Sequence, residues 1–114
     1  ARERVDSTGK VIRPLDEALK FAQIAREAVP EDPSVGDTLG WIYYKKGLTD
    51  TAYPLIADAA GKVKTNASIR YHHGMVLAKK GKNKEAAAEL KAALSLDPKF
   101  PGADEAKKTL ASLK

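Results

Sequence analysis

A fixed repeat period, the offset from Gly40 to Gly74, constrains this chain more than any other feature. The stretch Pro33 to Gly47 returns at that offset as Ala67 to Gly81, and Lys45-Lys46-Gly47 recurs as Lys79-Lys80-Gly81. Ala18, Ala52 and Ala86 keep the same spacing, as do Ala25, Ala59 and Ala93, while Pro30 and Pro98 stand at twice that distance. A fixed period in this range marks stacked helical hairpins. One hairpin cannot bury its apolar face alone, and a stack of them can.

Local signals place the helices. Asp32 is a helix cap, Pro33 suits a first helical position, and Gly47 suits a left-handed end. Apolar residues at helical spacing predict helices near 15–29, 33–46, 50–60, 67–80 and 84–96, with a last one near 101–113. Thr49 or Asp50, Asn66 and Asn83 are the expected caps of the later helices, and Gly61 is expected to end the third one. Gly40 should face Ala52 and Ala59 at a close crossing, and Gly74 should face Ala86 and Ala93. The expected fold is all-α with no β-sheet. It comprises a half repeat over 14–32, repeats over 33–66 and 67–100, and a Lys-rich capping helix over 101–113. Residues 1–13 show no period and read as a flexible arm or the remnant of a helix. The half repeat lacks most of a partner, so Leu15, Leu19, Ala22 and Ile24 should be exposed. Either residues 1–13 or a second copy, giving a homodimer, is expected to cover them.

Composition narrows the chemistry. Apolar residues make up 43% of the 114, enough for a core, and aromatics only 6%. No run approaches the ~18 apolar residues of a membrane span, and no amino-terminal segment of this stretch shows the charged-then-apolar pattern of a secretion signal. The chain begins at Ala1 and reads as a processed form or a piece of a longer protein. Cysteine is absent, which removes disulfides, thiolate metal sites and thiol nucleophiles. The net charge of +5 favours acidic partners, though Lys and Arg alternate with Asp and Glu along most of the chain.

The large and small positions in register, Leu39-Gly40-Tyr43 with Ala52 and Ala59 and their copies, make the chain resemble the tetratricopeptide repeat family. The resemblance covers residues 14–98 as half a repeat plus two full ones, with the cap beyond. It implies a right-handed superhelix of antiparallel helix pairs whose first helices line a concave groove that binds a peptide or partner protein. Gly36 and Arg70 depart from the family pattern where a large apolar residue is usual, His73 stands where Leu39 stands one repeat earlier, and Lys64 replaces a terminal proline. Asp37-Thr38-Leu39-Gly40-Trp41 and Ile69-Arg70-Tyr71-His72 also resemble the carboxy-terminal repeats of bacterial proteins tied to exopolysaccharide production and protein sorting. That resemblance implies a bacterial cytoplasmic or periplasmic setting and leaves the compartment open.

No constellation for catalysis or cofactor binding is legible, and no cofactor is expected. His72 and His73 are the only histidines, and adjacent helical residues diverge by ~100°, so they cannot chelate one metal together. The expectation is His73 half-buried between helices, with His72 in the groove. Gly9-Lys10, Gly61-Lys62 and Gly81-Lys82 lack the serine or threonine and the second glycine of a phosphate loop. Acidic pairs such as Asp16/Glu17 and Asp104/Glu105 fall at helix starts, where dipole reasons suffice. The groove is different. Thr38, Trp41, Tyr44, Lys45, Tyr71, His72, Met75 and Lys79 are the candidate partner-binding residues, with aromatic anchors and a basic edge formed by Lys45 and Lys79. Trp41 and Tyr71 have two readings, packing between repeats or anchoring a ligand. The partner expected is a protein or peptide with an apolar anchor and a nearby acid. Two other functions stand beside this one. A nucleic-acid binder needs its basic residues on one stripe; a regulatory segment of an enzyme needs the chemistry to lie outside this stretch.

Overall fold

The computed structural model describes residues 4–5, 11–12 and 14–113. Two short strands, β1 (Arg4–Val5) and β2 (Val11–Ile12), precede six helices. These are α1 (Pro14–Ala28), α2 (Pro33–Lys45), α3 (Thr49–Lys62), α4 (Ala67–Lys79), α5 (Asn83–Leu96) and α6 (Ala103–Ser112). Each helix packs on the next, and the first helices of successive hairpins also touch, α2 with α4 and α4 with α6. The result is an elongated stack with extents of 48 × 30 × 26 Å.

The expectation of no sheet fails in the arm. β1 and β2 pair antiparallel, with Arg4 opposite Ile12 and Val5 opposite Val11. Val and Ile favour extended backbone, so this pairing replaces the expected frayed arm or helix remnant at these positions. The rest of the arm, and its expected role in covering α1, lies outside the described residues.

Turn chemistry explains where the helices stop. Gly47 and Gly81 adopt φ of +85° and +79°, a left-handed conformation that costs glycine little. At the first of these turns the Leu48 N–H donates to the Tyr43 carbonyl at 2.9 Å; at the second, Lys82 donates to Leu77 at 2.9 Å. These bonds satisfy carbonyls that the helix end leaves unpaired. Asp32 accepts from the Ser34 and Val35 N–H groups, and Asn66 accepts from Ile69, as expected of caps. Thr49, Asp50 and Asn83 do not cap. The glycine turns bring the backbone into helical geometry sooner, so Leu48 and Lys82 occupy the cap positions without side-chain bonds. Gly61 does not end α3, which continues to Lys62 before Val63 turns extended.

The helix crossings are closer than a side chain allows. A Cβ built on Gly40 would lie 2.6 Å from Ile56 Cγ1 and 3.2 Å from the Ala52 carbonyl oxygen. One on Gly74 would lie 2.8 Å from the Leu90 side chain and 3.3 Å from the Ala86 carbonyl oxygen. Ala52 and Ala86 are therefore at the crossings as expected. The second neighbour is Ile56 or Leu90, one turn along, rather than Ala59 or Ala93. Ile56 and Leu90 are fully buried and fill the space the glycines leave.

The two ends of the stack differ. At the carboxy-terminal end α6 closes a cluster of Tyr71, Leu90, Ala93, Phe100, Ala103 and Ala106. At the other end α1 presents Phe21 and Ile24, 64% and 56% exposed, together with Leu15. Of the residues expected to be exposed there, Ala22 is buried against Leu39 and Ile42, and Leu19 packs at the edge of the same cluster. They lie on the α1 face that α2 covers. Phe21, the most exposed of the large apolar residues here, belongs to the opposite face.

Candidate functional site

The first helices α2 and α4 bring most of the candidate residues together. Trp41 stacks on Tyr44 of its own helix, ring centroids 4.6 Å apart and planes 8° apart. Residues three apart on a helix are neighbours, so this pair is local in origin. His72 of α4 stacks on the same indole at 4.0 Å and 21°. Lys45 Nζ lies 5.8 Å from the Trp41 ring centroid, within reach of a cation–π attraction. Met75 packs half-buried against the Tyr71–Phe100 cluster, as Trp41 does. Lys79 is exposed.

Asp37 holds this arrangement, and the sequence reasoning missed it. It is 6% exposed, and both of its carboxylate oxygens contact His72 Nδ1, at 2.9 and 2.8 Å. A buried carboxylate must be paired or hydrogen-bonded, and this contact joins the first helices of successive repeats. The signal is present in the sequence, since Asp37 stands one repeat period before Tyr71, in the same row of the repeat.

Two candidates sit elsewhere than expected. Tyr71 is only 9% exposed. Its ring tilts against Phe100 at 5.4 Å, and a Cβ on Gly102 would meet it at 2.5 Å. The capping helix therefore takes the face that would otherwise meet a ligand, and Tyr71 packs rather than anchors. Thr38 is exposed beside a hollow of about 160 Å³ lined by Ala22, Ala25, Ser34 and Val35, between α1 and α2.

Electrostatics adds a residue from α6. Burial pushes the Tyr44 phenol above its ordinary value of 10.0, and the Glu105 carboxylate raises it further. Tyr71 is shifted the same way, first by burial and then by Glu105 and Tyr44. Glu105 stands in the row of Asp37 and Tyr71, and its charge acts on both phenols.

His73 is half-buried between helices as expected. Its Nδ1 is 3.7 Å from Glu89 Oε2 and has no hydrogen-bond partner among the described residues. Arg70 donates to both Glu89 oxygens at 3.1 Å, and its Nε donates to the Lys64 carbonyl. Among the described residues no three or more His, Cys, Asp or Glu side chains gather as metal ligands.

Repeated hairpins with glycine crossings and an aromatic first-helix face are the geometry against which known proteins can be compared. Residues 67–100 match the tetratricopeptide repeat family. No curated protein matches the chain. Among solved structures, MamA MSR-1 is similar at 25% identity and a TM-score of 0.68, over 85% of this chain and 54% of that one. The chain thus spans about half the length of that relative. The Arabidopsis OM64 tetratricopeptide domain is similar at 22% identity and a TM-score of 0.72, over 85% of this chain and 80% of that one. The Yersinia enterocolitica type III secretion chaperone SycD, in complex with a peptide of the translocator YopD, gives 22% identity and a TM-score of 0.69. That match covers 86% of this chain and 78% of SycD. From Pro14 onward the fold is helical and packs in adjacent helix pairs like these tetratricopeptide structures. Among the described residues no helix is long and apolar enough to cross a membrane.

Proposed function

We propose that this chain is a protein-interaction module that binds a peptide or partner protein on the face formed by α2 and α4, as part of a larger bacterial protein. One observation carries the reading. Trp41 and Tyr44 form a half-exposed stacked pair with a lysine ammonium above the indole. The pair is clamped from behind by a buried acid–imidazole contact rather than by its own burial. Rigid aromatic area beside a cation suits an apolar anchor with a neighbouring acid. The peptide held by SycD supports the same use of the fold. The segments Asp37–Trp41 and Ile69–His72 carry the resemblance to exopolysaccharide- and sorting-associated repeat proteins. They meet at the Asp37–His72 contact, and we read the larger protein as one of that kind.

The test is capture of the partner by wild type and by Trp41→Ala, Met75→Ala and Lys45→Ala/Lys79→Ala, with circular dichroism confirming each fold. Loss of the Trp41 anchor is expected to weaken binding by at least ~2 kcal/mol. The lysine pair should mainly change the salt dependence. Equal binding by all three variants would remove this face from consideration. Tyr71→Ala is unsuitable as a probe because it opens the core.

The open face of α1 favours a second contact of the module. Phe21 and Ile24 lie exposed one turn apart, and a second copy is the occupant we propose. Sedimentation should show a dimer that Phe21→Lys/Ile24→Lys dissolves; a strict monomer at high concentration defeats this.

A further inference from the structure

The proposed groove carries two acids in one row and two lysines in another, and only one of the acids is satisfied internally. The repeat register puts Asp37 of α2, Tyr71 of α4 and Glu105 of α6 in one row, each one repeat period from the next. Lys45 and Lys79 form a second row, eight residues along the first helices, which is roughly 12 Å of helix axis. Asp37 is buried and bound to His72. Glu105 is exposed and forms no ion pair or hydrogen bond among the described residues.

Packing places Glu105 independently of any charge effect. Gly102 abuts the Tyr71 ring, and Ala103 and Ala106 are buried in the cluster that contains Tyr71. Glu105 lies one turn from Gly102 and next to Ala106, so it stands at the rim of the α6 face that covers α4. Its field reaches Tyr44 on α2 as well as Tyr71. An acid therefore borders the aromatic shelf on the α6 side, and two lysines border it on the other.

We propose that Glu105 receives a lysine or arginine side chain of the bound peptide while Lys45 and Lys79 receive its acid, so that the groove fixes the direction of the ligand. This rests on the peptide-binding reading above and adds a base to the partner's chemistry. From the Glu105 row to Lys79 on the neighbouring helix is roughly 15 Å, combining helix rise with helix–helix spacing. An extended peptide covers that distance in about four to five residues. The ligand is thus a short segment whose base and acid stand about four to five residues apart, with an apolar side chain that reaches across α4 to Trp41.

The probe is a phage-displayed library of random dodecapeptides, selected on wild type, Glu105→Gln, Lys45→Met/Lys79→Met and Trp41→Ala. Wild type should enrich peptides with Lys or Arg four to five residues from Asp or Glu. Glu105→Gln should still enrich peptides but lose the preference for Lys or Arg. The lysine variant should lose the preference for acids and keep that for bases. A selected peptide, resynthesised, should bind Glu105→Gln about two- to five-fold more weakly, the size of an exposed ion pair. Its own Arg→Met version should bind wild type and Glu105→Gln alike. Enrichment without a base, or a base preference that survives in Glu105→Gln, overturns the proposal and leaves the groove reading standing. No enrichment on wild type, or enrichment unchanged in Trp41→Ala, overturns both.

Discussion

The interfaces at which α2 and α4 join the helix before them use one backbone register and opposite chemistry. Where α2 meets α1, Arg26 reaches over Gly36, its guanidinium 2.7 Å from where a Cβ would lie. Leu39 and Leu55 close that region with apolar packing. The equivalent positions one repeat later are Ala60, Arg70, His73 and Glu89. There the guanidinium comes from the first helix instead of the preceding second helix, faces alanine instead of glycine, and pairs with Glu89. The two leucines have become a histidine and a glutamate 3.7 Å apart. Large and small residues exchanged sides together, so the backbone tolerates either arrangement. What the stack demands at this joint is one long cation and one small residue, from whichever helix.

The largest effect should come from the glycine crossings, where the two repeats are alike. Gly40→Leu and Gly74→Leu should each cost ~1–3 kcal/mol by overpacking. Thermal unfolding should also separate them in the alanine variants. Gly40→Ala would set its Cβ 2.6 Å from Cγ1 of Ile56, a β-branched side chain stiff at χ1, whereas Gly74→Ala would set it 2.8 Å from Cγ and Cδ2 of Leu90, which is unbranched at Cβ and turns more freely. Gly40→Ala should therefore lose more stability; equal losses would mean the crossings are interchangeable.

A smaller effect tests the exchanged joint. Glu89→Leu alone leaves the Arg70 guanidinium partly buried without its carboxylate and should destabilise by about 1–2 kcal/mol. Ala60→Arg/Arg70→Gly/His73→Leu/Glu89→Leu rebuilds all four residues of the first joint and should recover part of that loss in urea unfolding. A quadruple variant weaker than Glu89→Leu would break the equivalence of the joints.

Least in size is an alkaline effect shared by Tyr44 and Tyr71, one from each repeat. Both phenols are raised in the folded state. Their contribution to stability is present below the unfolded value near 10.0 and is lost as pH rises through the folded value. Stability should fall above that pH, and Tyr44→Phe and Tyr71→Phe should each flatten the fall. Removing the charge with Glu105→Gln should lower the absorbance titration midpoint of Tyr44.

Much of this can be read without coordinates. The six helices lie within about two residues of their expected spans because glycine turns, prolines and apolar spacing act locally. Trp41, Tyr44, Lys45, His72 and Met75 fall together because the register carries one helix face onto the next. Tyr71 looks in sequence like Trp41 and Tyr44 on that face, yet the return of the chain at Phe100 and Gly102 buries it. Asp37 and Glu105 read as ordinary acids near helix starts, since neither differs in sequence from a dipole-stabilising residue. The arm ladder leaves no trace in the pattern because two residues per strand give no period.

By itself the sequence determined the repeat. One recurring offset, with glycines and alanines in step, leaves stacked hairpins as the arrangement that buries each apolar face. Tertiary structure alone decided which end is closed and which is open, and which acid is satisfied. Those outcomes depend on contacts between residues far apart in the chain. Asp37 and Glu105 occupy the same row, and only packing sets a histidine against the first and leaves the second facing solvent. Periodicity assigns each residue to a face; the neighbour that arrives at that face decides whether its polar atoms are paired, buried or left for a ligand.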